Sequence, residues 1–352
     1  MNTQTLPFLE AADAVDLRSD TVTRPTDAMF ERARGAALGD DGLDGDPTAA
    51  ELEAFAAAEL GKEAGLFVPT CTMGNLLAVL AQVPRHGQVV TEASAHMITA
   101  ERGSATLTGA FYVGIPGSDG AMDPNQLEDN LAASGHRLRT SLVAMETSHN
   151  NAGGTVLPLA HMAQVQELAQ RHGAAVHLDG ARLYNAAVAL QQPVARLAAH
   201  VDSVSLCLSK GLSAPAGAVL VGDRALVERA RTLRRMLGGT QRQIGVLAAF
   251  GLEALQTMGS RLGEDHARAR RLSVDLRALG SALEISQPTT NIVLVDVSAT
   301  GRNSSDWVAA LGAAGLRVRP WGSRKLRCVT HRHIDDVAVA RAVNAFARVL
   351  AA

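Results

Sequence analysis

Lysine is almost missing from this chain. Of 33 basic residues only Lys62, Lys210 and Lys325 are lysines, so arginine serves wherever a plain cation is enough. In such a background a lysine is kept by chance or where the ε-amine itself is needed, because a desolvated lysine can give up its proton and arginine cannot. Cysteine is scarce as well: Cys71, Cys207 and Cys328 are odd in number and lack metal-ligand spacing, which excludes a disulfide framework and suits a reducing cytoplasm. No apolar run approaches the ~18 residues of a membrane span, and the first eight residues lack the basic and apolar regions of a signal peptide. A formal net charge of −2 leaves no basic excess for nucleic acid. No Gly-x-Gly-x-x-Gly follows an early strand and no Walker-type lysine is present, which argues against a nucleotide-binding Rossmann domain.

What is present is a long, apolar chain. With 352 residues and 47% hydrophobic content it can bury one large core and a smaller one. We expect an extended arm over 1–24, a large domain over 25–260 and a small α+β domain over 261–352. Asp27 is expected to cap a helix reaching residue 38, and Asp46-Pro47 to open another through Leu60, with aspartate at the N-cap and proline at N1. Segment 70–75 reads as a turn between a strand and a helix over 76–82, a place where free backbone N–H groups make an anion cradle. Strand-like runs at 89–91, 141–146, 174–178, 201–208 and 218–221 alternate with helical ones at 159–172, 181–190 and 224–237. That alternation predicts an α/β fold with a mostly parallel sheet covered on both faces. Ligands of such folds sit at the carboxyl ends of the strands.

Lys210 falls between two apolar runs, beside Gly211, where buried strands end. A snorkelling lysine is the default for an isolated case, but the apolar flanks weaken it here. Asp179 ends another strand-like run, and Arg182 could satisfy it as a structural pair. A strand-end aspartate about thirty residues before a strand-end lysine, with a phosphate-type cradle upstream, is the set that pyridoxal phosphate requires. Its aldehyde forms a Schiff base with lysine, an acid pairs with its ring nitrogen, and a helix N-terminus takes its phosphate.

The motifs then point to a family. Asp16-Leu-Arg-Ser-Asp-Thr-Val-Thr-Arg-Pro25, Gly39-Asp-Asp41 with Asp46-Pro-Thr48, Thr72-Met-Gly-Asn75, His177-Leu-Asp-Gly-Ala-Arg-Leu-Tyr-Asn185, Cys207-Leu-Ser-Lys-Gly-Leu212 and Val329-Thr-His331 resemble the low-specificity L-threonine aldolases over nearly the whole chain. The resemblance implies a type I pyridoxal-phosphate fold, aspartate aminotransferase-like, and retro-aldol cleavage of L-threonine, L-allo-threonine or a bulkier relative such as phenylserine. It implies that Lys210 carries the cofactor, with Asp179 at the ring nitrogen and Arg182 at the phenolic oxygen. Thr70, Cys71 and Thr72 would line the phosphate loop. His96, supported by Glu101, would stack on the ring, and His136 would lie near the substrate. Ser19 and Arg327 would hold the α-carboxylate, and Arg242 with Arg235 would reach a phosphate across a subunit interface. His96, His136 and a bound water are all open as the base for the β-hydroxyl proton. Lys62 is expected to be structural.

Cys71 stands where the family has glycine, Thr240-Gln241 where it has Gly-Met, and Thr147-Ser-His149 where it has Asn-Thr-His. The resemblance also implies a homotetramer built from dimers with shared active sites. Two other readings keep the cofactor: β-elimination or transamination, and a catalytically silent cofactor-binding protein.

Overall fold

The computed structural model describes residues 14–352 apart from 102, 133, 134, 136 and 137. His136 therefore lies outside the described residues. The chain divides into two compact units, Thr23–Leu262 and a unit made of residues up to Val22 with Gly263–Ala352.

The larger unit is built on a seven-stranded sheet. Its strands lie in the order Ala64–Val68, Ala218–Gly222, Ser203–Cys207, Ala175–Gly180, Thr140–Glu146, Gln88–Glu92 and Phe111–Ile115. Ala218–Gly222 runs against both of its neighbours, and every other pairing between adjacent strands is parallel. Strands 203–207 and 218–222 are buried at every position, as expected of a sheet covered on both faces. Strand Phe111–Ile115 was not expected; its exposed and half-buried positions suit an edge strand with no continuous apolar signal.

Two helix starts differ from expectation. The first helix is Asp27–Arg34, and its cap is Thr26, whose side chain accepts from Met29 N; Gly35 ends it four residues earlier than position 38. The helix after Ala64–Val68 begins at Cys71 rather than at residue 76. Thr70 caps it by accepting from Met73 N at 3.1 Å. Gly74, which reads as a breaker, is there for proximity: a Cβ would lie 2.8 Å from Ser205 Oγ and 3.3 Å from Ser205 Cβ, so glycine lets the helix sit this close to the sheet without displacing Ser205. The helix opened by Asp46 and Pro47 forms as expected, with Asp46 Oδ1 accepting from Ala49 N at 3.0 Å. Arg242 lies three residues before the helix Gly245–Thr257.

The smaller unit holds a four-stranded antiparallel sheet in the order Glu284–Ile285, Ile292–Asp296, Lys325–Val329, Arg319–Trp321. Helices Ser304–Ala313 and Asp336–Ala351 belong to the same unit, where the Trp307 and Phe346 rings meet at 5.9 Å. Strand Val15–Asp16 pairs in parallel with Leu316–Arg317.

Among the described residues no helix is long and apolar enough to cross a membrane, and the three cysteines are free.

Candidate active site

The parallel strands of the larger unit deliver their chemistry at their carboxyl ends. Asp179 is the last residue but one of Ala175–Gly180 and is buried. Gly180 follows because a Cβ there would lie 3.0 Å from Ser205 O and 2.9 Å from Val204 Cγ1, too close for any side chain. Asp179 Oδ1 accepts from Ala181 N at 3.1 Å, and Oδ2 accepts from Asn75 Nδ2 at 3.0 Å. Neutral donors thus reach both oxygens of a carboxylate that burial would otherwise penalise.

Lys210 lies three positions beyond strand Ser203–Cys207, in the loop that returns to Ala218–Gly222. Its carbonyl accepts from Thr23 Oγ1 at 2.8 Å and from Ser213 N at 2.9 Å. Ser213 takes a left-handed conformation, φ +68°, which bends the loop back on itself. Lys210, Cys207 and Arg182 line one cleft. Arg182 is buried and donates from Nη1 to Asn150 Oδ1 at 3.3 Å.

Thr70 as N-cap places Cys71 and Thr72 in the first turn of Cys71–Gln82, the positive end of a twelve-residue helix. Cys71 Sγ is 3.7 Å from Ser205 O and 3.9 Å from Asp179 Oδ1. Its hydrogen bond with the Cys207 thiol, together with burial, pushes Cys71 well above the ordinary thiol range. The same bond, helped by the charge on Lys210, pulls Cys207 down.

His96 opens the short helix His96–Thr99. Its Nδ1 is 2.9 Å from Glu101 Oε1, and that hydrogen bond holds the imidazole above its usual value. Glu101 Oε1 also accepts from Asn75 Nδ2 at 3.2 Å, so one amide reaches the carboxylates of both Asp179 and Glu101. One nitrogen or oxygen from each of His96, Glu101 and Asp179 falls within 4.8 Å of the others.

Beneath His96 lies a second polar cluster. Glu146 Oε2 accepts from His96 N at 2.6 Å and Oε1 from Asn150 N at 2.8 Å. Burial raises the Glu146 carboxyl. His149 Nε2 is 3.1 Å from Glu92 Oε2. Burial opposes charge on His149, yet the bond to Glu92 and the nearby Glu146 hold it above the usual imidazole range.

Arg235 donates to Gly42 O at 3.3 Å, and Arg242, 71% exposed, lies 3.6 Å from Asp40, so both arginines border the 39–45 loop. Lys62 donates to Val201 O, in keeping with a structural role. Within the smaller unit, Ser19 is buried and its Oγ lies 3.4 Å from Asp20 Oδ1. Arg327 is buried on Lys325–Val329 with its guanidinium 5.0 Å from the centre of the Trp321 ring.

The structure therefore brings Lys210, Cys207 and Arg182 into one cleft, and links His96, Glu101 and Asp179 through Asn75. Sequence reasoning did not single out Asn75, Glu146 or His177. A buried asparagine carries no periodicity, and Asn75 and His177 entered only as the first or last residues of two motifs, with no role attached.

Residues 16–300 match the family model for β-eliminating lyases. Low-specificity L-threonine aldolase 1 of Arabidopsis thaliana is 39% identical over 341 residues, 95% of each chain. Alanine racemase TOXG of Cochliobolus carbonum is 33% identical over 350 residues, covering 96% of this chain and 88% of that protein. A solved threonine aldolase of Leishmania major superposes with a TM-score of 0.81 at 19% identity, over 95% of this chain and 99% of its own. The fold is the aspartate aminotransferase-like, type I fold of pyridoxal-phosphate enzymes, and by sequence this chain belongs to the β-eliminating lyase family.

Proposed function

We propose that the protein is a pyridoxal-phosphate-dependent aldehyde-lyase that cleaves L-threonine, L-allo-threonine or a related β-hydroxy-α-amino acid to glycine and an aldehyde. The observation that carries the reading is that Ala175–Gly180 and Ser203–Cys207 run parallel side by side, so that buried Asp179 lies at the carboxyl end of one strand and Lys210 follows three residues after the carboxyl end of the other. The cofactor fits the groups present: an amine, a buried carboxylate held by neutral donors, and the free N–H groups of a helix start. When bound it supplies an electron-accepting ring.

The residues supply the rest. Asp179 offers an acceptor to the ring nitrogen, and Lys210 provides the amine for covalent attachment. With Nδ1 tied to Glu101, His96 keeps Nε2 for the substrate hydroxyl, and the carboxylate fixes its tautomer. Arg182 takes the phenolic oxygen. His136 is assigned to the substrate, and Ser19 and Arg327 to the α-carboxylate, by the resemblance alone. Holding that carboxylate would set which bond at Cα is weakened.

The same reading includes a cytoplasmic homotetramer of dimers in which Arg235 and Arg242 reach a neighbouring phosphate. Met236 follows Arg235 in the chain and Leu43 follows Gly42, whose carbonyl Arg235 reaches; each is 77% exposed, and apolar side chains left this open favour a subunit contact.

The test is product analysis. Purified protein with pyridoxal phosphate and L-threonine should release glycine and acetaldehyde; a keto acid without aldehyde would sink the reading. The racemase relative favours one second reading, removal of the Cα proton, which D-alanine formation from L-alanine would reveal.

A further inference from the structure

Behind the candidate site runs a line of buried polar side chains whose hydrogens can be placed one after another. Asn75 has 1% exposure. Its Nδ2 lies 3.0 Å from Asp179 Oδ2 and 3.2 Å from Glu101 Oε1, and both neighbours are acceptors, so the nitrogen must face them. Oδ1 then faces His177 Nε2 at 3.1 Å. Burial pushes the His177 imidazole down to about 4, so at neutral pH it has one N–H, and Asn75 Oδ1 can accept only if Nε2 carries it. Nδ1 is left bare and accepts from Ser203 Oγ at 2.8 Å. Ser203 in turn accepts from Gln82 Nε2 at 3.0 Å. Each member satisfies the next, and each donor points the same way: Gln82 to Ser203, to His177, to Asn75, to the two carboxylates.

An amide at this position serves an end that packing alone does not require. It gives one hydrogen to each of two carboxylates, leaving Glu101 free to accept from His96 and Asp179 with an oxygen still able to accept from a second donor. The strand residues Ser203 and His177 sit opposite each other in the parallel pairing, so the sheet register fixes the line.

We infer that Asn75, oriented by the Nε2–H tautomer of His177, is a positioning residue that couples Asp179 to the His96–Glu101 pair. It keeps both carboxylates as acceptors toward the bound cofactor and His96. The inference rests on the cofactor assignment made above, with Asp179 at the ring nitrogen.

Asn75→Asp tests it, since the shape is kept while the amide NH2, with both its donors, is replaced by an oxygen. Three carboxyls in contact cannot all ionise, and the one proton they share serves a single neighbour. The holoenzyme is reconstituted with pyridoxal phosphate carrying ¹⁵N in its ring. In the variant the ring-nitrogen resonance should move toward that of a neutral pyridine, and the Kd for the cofactor should rise about tenfold, the scale of one lost charge-assisted hydrogen bond. A folded variant whose ¹⁵N resonance and Kd match the parent, even at a lower Tm, would overturn the inference and leave Asn75 with a packing role. Should Asn75→Asp fail to fold, Asn75→Ser, with at most one donor, is read in the same way. A parent protein that binds no pyridoxal phosphate would instead overturn the cofactor reading itself.

Discussion

His96 Nδ1 and Glu101 Oε1 lie 2.9 Å apart, the imidazole side chain 36% exposed and the carboxylate nearly enclosed. The pair raises the folded value of His96 above that of a free imidazole, near 6.5. A raised histidine contributes stability that is complete below the unfolded value and fades as pH rises through the folded one. Glu101→Gln should therefore move the His96 ring titration, followed by NMR, to lower pH. If neutral His96 is the base, the rise of kcat with pH should move down with it. An unshifted His96 titration would show that Glu101 does not hold the proton.

Lys210→Ala should abolish covalent attachment of pyridoxal phosphate, read by mass spectrometry after borohydride reduction. Turnover should fall about 10³-fold or more, since a covalent step is lost and not merely slowed. Lys62→Ala and Lys325→Ala should attach the cofactor normally. Full activity in the Lys210 variant would refute its assignment.

Arg234 and Asp41 form an ion pair at 2.6 Å with side chains 2% and 5% exposed, and Arg234 also donates to Phe67 O. Arg234→Leu leaves Asp41 buried and uncompensated, which should cost about 3–5 kcal/mol in urea unfolding. Arg234→Leu with Asp41→Leu should lose less than the single change. A single variant that loses under about 1 kcal/mol would mean that water reaches Asp41.

Thr70→Ala removes the side-chain oxygen that accepts from Met73 N. The expected loss is about 1 kcal/mol, and Thr70→Ser should restore most of it. Equal stability of all three proteins would place the helix start elsewhere than Cys71.

How much of this was legible in the chain differs residue by residue. Asp46-Pro47 announces its helix because cap and N1 proline are local chemistry, and Lys210 stands out because arginine does nearly all the other cationic tasks. Thr70 to Asn75 misleads: a hydroxyl, a thiol and a glycine read as loop, whereas Thr70 caps the helix and Gly74 allows contact with Ser205. That contact is between segments 131 positions apart, and no local pattern records it. Asn75 was hidden for the same reason. Its partners are Glu101, beyond the helix His96–Thr99, and His177 and Asp179 on one strand, and only the tertiary fold brings them to one amide. His96 was visible through the family resemblance, but its tie to Glu146, fifty residues on, was not.

The parallel pairing of Val15–Asp16 with Leu316–Arg317 has a bearing on biosynthesis. Every strand of the seven-stranded sheet has been translated by residue 222, so the larger unit can close its core while the ribosome is still at work. The smaller unit has to keep its opening strand in reserve until position 316 arrives, and such long-range closure is intrinsically slow. Its assembly is thereby a late checkpoint on synthesis, and nascent chains stalled just short of position 316 should already resist proteolysis across the sheet while residues 14–22 remain open to cleavage.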